Sequence, residues 1–144
     1  MPMIDVYAPS DLFPDGVDRE LAEDLTLALL RAEGVQHPAP VQLNNTAAYI
    51  HRLNPKAVHT AGTASARTVR IQVLTPPGAL NRAGQRSFVA DATEIVARIT
   101  RDPTQAARTW VLCEAAEGGW GIAGTAFGRE EFAALAKERH KRNV

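Results

Sequence analysis

Apolar and polar residues along the chain alternate in some stretches and recur at helical steps in others. In the opening "MPMIDVYAPS", Ile4 and Val6 share one face with Asp5 between them, which predicts a strand beginning directly after Pro2. "APSDLFPDG" is turn-rich, and "VDRELAEDLTLALLRAEG" puts Val17, Leu21, Leu25, Ala28 and Leu29 on one helical stripe. Asp15 is the expected N-cap, Asp18 and Glu20 fall in the first turn, and Gly34 stops the helix. "VQLNNTAAYIH" is a strand candidate with Asn44 and Asn45 in its middle, and residues 51–66 read as a connecting loop. "TVRIQVLT" then alternates cleanly, "PPGALN" turns, and "RAGQRSFVADATEIVARIT" predicts a second helix burying Phe88, Ala92, Ile95, Val96 and Ile99 before Pro103. "RTWVLCEA" predicts a strand and "EGGWGIAG" a glycine-rich turn. "GREEFAALAKERHKR" predicts a closing helix anchored by Phe132 and Leu135.

The order strand, helix, strand occurs twice, at an offset of about 65 to 68 residues measured at Ile4 and Ile71, Val17 and Arg82, and Val41 and Thr109. This predicts a single α/β (α+β) domain over residues 1–144, built from two tandem βαβ halves of about 1–66 and 67–144. Each half pairs its two strands in parallel beneath one helix, so the expected fold is a four-stranded mixed sheet with both main helices on one face. The other face is partly apolar and is expected to be covered by further copies of the chain.

Composition narrows the function classes. Lys plus Arg and Asp plus Glu each total 16, so no net positive charge draws the chain to nucleic acid. The lone Cys113 lies in an apolar strand and is expected to be a buried structural residue rather than a nucleophile. No stretch is long and apolar enough for a membrane span and no signal-like segment opens the chain, so a cytoplasmic location without membrane partners is expected. No pair of His or Cys has metal-site spacing, and neither metal nor cofactor is expected.

Two segments carry a family resemblance: "MPMIDV", with proline directly after the initiator Met, and "WVLCEAAEGGWGIAG", a strand, Glu, short hairpin, aromatic and Gly-Ile-x-Gly. Together with the duplication, these make the chain resemble the tautomerase superfamily, whose fold is that of 4-oxalocrotonate tautomerase and macrophage migration inhibitory factor. The resemblance implies a homotrimer and a cofactor-independent enzyme that acts on a small carbonyl or enol compound. Its catalytic group would be Pro2, whose secondary amine, once Met1 is removed, serves as general base or acid. An α-amino group titrates near neutrality and so suits this work.

The family usually holds an acidic substrate with arginines, and the places that carry them are occupied here by Leu12, Thr109 and the "TPPGA" turn. A substrate less anionic than the family's dicarboxylates is therefore expected, and decarboxylation and hydrolytic dehalogenation are not. The remaining candidates for substrate binding are Arg52, Asn44, Asn45 and Arg108, with Trp120 at the family's aromatic position. Arg67 is read as the counterpart of the first residue in the second half. Two other readings stand beside the enzyme. One is a catalytically inactive trimer of the same fold that binds a ligand or partner. The other is an unrelated ferredoxin-like α+β protein with antiparallel pairing between its halves.

Overall fold

The computed structural model describes residues 2–75, 78–113 and 118–142. Strand β1 (Met3–Pro9) leads to helix α1 (Asp18–Ala32), the short helix α2 (Pro40–Asn45) and strand β2 (Ala47–Leu53). The second half repeats this with β3 (Val69–Leu74), α3 (Arg82–Thr100), a 3₁₀ turn (Pro103–Arg108) and β4 (Thr109–Cys113). A hairpin, β5 (Trp120–Ile122) and β6 (Thr125–Phe127), and helix α4 (Arg129–Arg142) follow. No helix among the described residues is long and apolar enough to cross a membrane.

The four main strands form the expected mixed sheet in the order β2-β1-β3-β4, which the hairpin extends by β5 and β6. Within each half the strands are adjacent and parallel, with Met3 opposite Ala47 and Val69 opposite Thr109. The halves meet antiparallel, Met3 opposite Leu74 and Val6 opposite Ile71. An antiparallel centre is what the ferredoxin-like alternative required. In that fold, however, the βαβ unit is split, whereas here β1 and β2 are direct neighbours.

Alternation sets the two faces of the sheet. Ile4, Val6, Ile71, Val73 and Val111 are fully buried beneath α1 and α3, which contribute Leu21, Leu25, Leu29, Phe88, Val89 and Val96. Burial of each such side chain contributes roughly 1.5–3 kcal/mol, so this layer is the main source of stability. Gly84, in the first turn of α3, lets the helices close: a Cβ there would stand 2.6 Å from the carbonyl oxygen of Ala32. The opposite face is not covered within the protomer. On it Tyr7 stacks on His51 with ring centroids 4.3 Å apart, His51 Nε2 lies 2.7 Å from Asp5 Oδ1, and Arg70 sits over the Tyr7 ring. Met3, Tyr49 and Leu74 are exposed nearby.

Three local expectations change. The α1 N-cap is Val17, without a side-chain cap, so Asp15 does not hold that role. Residues 40–45 are helical, and β2 begins only at Ala47. Pro40 pre-sets the first helical φ, and the Gln42 side chain accepts a hydrogen bond from the Ala39 N–H at 2.8 Å. The two asparagines disfavour a strand and are carried by this turn instead. Finally, β2 runs through His51 and Arg52 to Leu53, where a loop was expected.

Candidate functional site

The duplication is closer than the strand and helix pattern suggested. In the first half α2 starts at Pro40, and the Thr46 hydroxyl donates to the Gln42 carbonyl at 2.9 Å. In the second half the 3₁₀ turn starts at Pro103, and the Thr109 hydroxyl donates to the Gln105 carbonyl at 2.9 Å. Gln42 therefore corresponds to Gln105, Asn45 to Arg108 and Thr46 to Thr109. Since Met3 pairs with Ala47 as Arg70 pairs with Trp110, Pro2 corresponds to Val69. Arg67 lies two residues before that position and is not the counterpart of a first residue.

The two equivalent places are filled differently. In the second half the chain entering β3 occupies the space. The Arg67 carbonyl accepts from Gln105 Nε2 at 3.1 Å and from Arg108 Nε at 3.3 Å, and Gln105 is fully buried. In the first half Gln42, Asn45 and Thr46 instead line a cavity of about 290 Å³ together with the buried Pro2. Glu33 supplies a further polar group, and aliphatic side chains, Leu30 and Val41 among them, make up most of the rest.

The Glu33 position follows from local rules. Helix α1 ends at Ala32 with Glu33 as its C-cap, whose N–H donates to the Leu29 carbonyl at 3.0 Å. The turn through Gly34, at φ +90°, then sends the chain towards α2. The Thr75 hydroxyl, just beyond β3, donates to Glu33 Oε1, so both halves of the chain fix the acid. The cavity lining includes no arginine, lysine or histidine among the described residues.

Of the residues singled out from sequence, the structure brings Pro2 and Asn45 together at this cavity. Asn44 is exposed on α2 and is not part of the lining. Arg52 is at the far end of β2, and all five of its N–H donors are engaged. Nε and Nη2 reach the Asp18 carboxylate, Nη1 reaches the carbonyls of Ser10 and Phe13, and Nη2 also reaches that of Pro14. The Asp18 hydrogen bond holds the guanidinium even further above its ordinary range. Within the protomer Arg52 is thus a clamp on the β1–α1 loop, with no donor left for a ligand. Arg108 is at the end of the sheet remote from Pro2 and bonds Asp102, Gln105 and Arg67. Trp120 pairs through its backbone with Leu112 and Phe127, three strands away from β1, and its side chain lies outside the described residues. So do Met1, Pro76, Pro77 and residues 114–117.

Glu33, Gln42 and Thr46 were not foreseen. Gln42 and Thr46 had a visible signal, the Pro-x-Gln-x-x-x-Thr spacing at 40–46 that recurs at 103–109. Glu33 had none, because a glutamate at the polar end of an amphipathic helix reads as solvated.

No protein-family model and no curated protein sequence matches the chain. Solved structures do. A wild-type fused 4-OT symmetric trimer superposes with a TM-score of 0.62 at 16% identity, covering 88% of this chain and 99% of that one. Pt0534 inactivated by 2-oxo-3-pentynoate gives 0.64 at 16% identity, with 90% and 98% covered. Macrophage migration inhibitory factor of Toxoplasma gondii gives 0.59 at 14% identity, with 87% and 99% covered. The strand order, the paired βαβ halves and these superpositions show that the chain has the fold of the tautomerase superfamily. Within that fold it has the fused layout, two βαβ halves in one polypeptide, as in fused 4-OT.

Proposed function

We propose that the protein is a tautomerase-type isomerase in which Pro2, exposed as the N-terminal residue by removal of Met1, moves a proton on a small carbonyl compound. The observation that carries this reading is the contrast between the two mouths. The place filled by polypeptide in the second half is an open, largely apolar cavity in the first, with Pro2 buried in its wall. A secondary amine there would take the enol hydroxyl proton and deliver a proton to the adjacent carbon, leaving a ketone and an unchanged amine. The proline ring restricts the group geometrically, and the aliphatic part of the wall strengthens charge interactions made beside it. Asn45 and Gln42, which line the same cavity, would hydrogen-bond the carbonyl oxygen. The uncovered apolar residues Met3, Tyr49 and Leu74 support assembly through the open sheet face, and we propose a homotrimer like the fused 4-OT trimer.

A second reading, a ligand-binding trimer without catalysis, is favoured by the lack of an arginine, lysine or histidine in the cavity lining among the described residues. Intact mass of the purified chain combined with phenylenolpyruvate ketonisation separates the two. The enzyme reading expects a mass lacking Met1 and loss of at least about a hundredfold in kcat/KM for Pro2→Ala, the usual scale for removing a general base. Full activity in Pro2→Ala, or complete retention of Met1, rejects it.

A further inference from the structure

From its placement we infer that Glu33 is the charge-selecting residue of the Pro2 cavity, favouring neutral or cationic carbonyl compounds over carboxylates. This rests on the cavity being the ligand site proposed above. Three observations lead to it. Glu33 lines the cavity, and the Thr75 hydroxyl holds one carboxylate oxygen in place, so the acid is not a swinging surface group. No arginine, lysine or histidine lines the cavity among the described residues, so no cationic side chain among them compensates it.

The third observation is where the acid sits. Glu33 is the C-cap of α1, where the helix dipole is negative and a carboxylate is disfavoured. The equivalent cap of α3 is Arg101, the charge the dipole favours. The first half therefore carries the unfavourable sign at the helix end that faces the cavity. Helix carbonyls and carboxylate add to one negative field, and in an aliphatic wall that field is poorly screened.

Such a field repels a ligand carboxylate and accepts a hydroxyl, amide or ammonium group. At a separation of several ångströms and the effective dielectric of a partly buried site, one like-charge contact weakens binding by about tenfold or more.

The test is calorimetric titration with phenylpyruvate and with its methyl ester, which differ in one charge. The wild-type protein should bind the ester at least about tenfold more tightly. Glu33→Gln keeps an oxygen for Thr75 to bond and should bring the two within about twofold, chiefly by improving phenylpyruvate binding. Equal wild-type affinities, tighter binding of the acid, no binding of either compound, or unchanged discrimination in Glu33→Gln each overturns the inference. The wild-type comparison stands even where the variant does not fold. Because the readout is binding, it is separate from the Pro2→Ala turnover experiment. Loss of turnover with no charge discrimination removes this inference alone, and discrimination with full Pro2→Ala activity removes only the proton-transfer reading.

Discussion

Arg52 and Asp18 join the C-terminal end of β2 to the first turn of α1 through a contact of 2.6 Å between Nη2 and Oδ1, with Nε bonding the same carboxylate. The same guanidinium bonds the carbonyls of Ser10, Phe13 and Pro14, so one side chain organises the whole β1–α1 loop. Arg52→Ala strands three carbonyls and a carboxylate, and should lower stability by roughly 2–3 kcal/mol in urea unfolding. Arg52→Lys should recover little of this, because an ammonium cannot reproduce the planar fork. Turnover per folded molecule should stay unchanged in both, since no donor of Arg52 is free for a ligand. A selective rise in KM without loss of stability would instead return Arg52 to the site.

Acid should loosen the C-terminal helix through Glu131. Its carboxylate accepts from the Gly128 N–H at 2.6 Å and from Arg82 at 2.8 Å, a cap on the start of α4. The Gly128 hydrogen bond first, then that from the residue's own N–H, with Arg82 adding, hold its pKa down at about 2. A depressed folded pKa means stability that is fully present above the ordinary value of 4.5 and lost as pH falls towards 2. Glu131→Gln should therefore be less stable than wild type at pH 6 and should flatten the loss of stability between pH 4.5 and 2. Parallel pH profiles of the two proteins in denaturant titrations would contradict this.

Gly84→Ala tests the close approach of the two main helices. In an exposed helix interior this substitution usually gains about 1 kcal/mol. Here the added methyl meets the Ala32 carbonyl at 2.6 Å, a backbone atom that cannot rotate away. The expected sign is reversed, with a loss of about 1–3 kcal/mol as for other overpacked sites, read from thermal or urea midpoints. Glu33 follows Ala32 directly, so a shift of α1 should also change ligand affinity at the cavity. An unchanged midpoint would mean that the helices part at no cost.

Both helices and three of the main strands were legible because one buried face forces a strict period: Ile71 and Val73, or Leu25 and Leu29, admit one assignment. The second half of Val41–His51 was placed correctly and the first half was not. Residues 40–45 are only one and a half helical turns, none of them is buried, and no periodicity develops over that length. Of the residues lining the cavity, only Pro2 and Asn45 were singled out from the sequence. Arg52 resembled an anion clamp from sequence because nothing in its neighbours reveals that Asp18, 34 residues away, is its partner. Glu33 was passed over for the converse reason: the residue that fixes its carboxylate, Thr75, comes from the other half of the chain.

The paired Pro-x-Gln-x-x-x-Thr turns have a practical consequence. One polypeptide carries two versions of the same structural pocket wall, one open beside Pro2 and one stoppered by its own backbone at Arg67. The closed version is an internal reference, sharing temperature, solvent and folding history with the open one. An NMR resonance of Gln42 that moves on adding a compound while that of Gln105 stays still would separate local occupancy from a general disturbance of the fold, with no second protein needed for comparison.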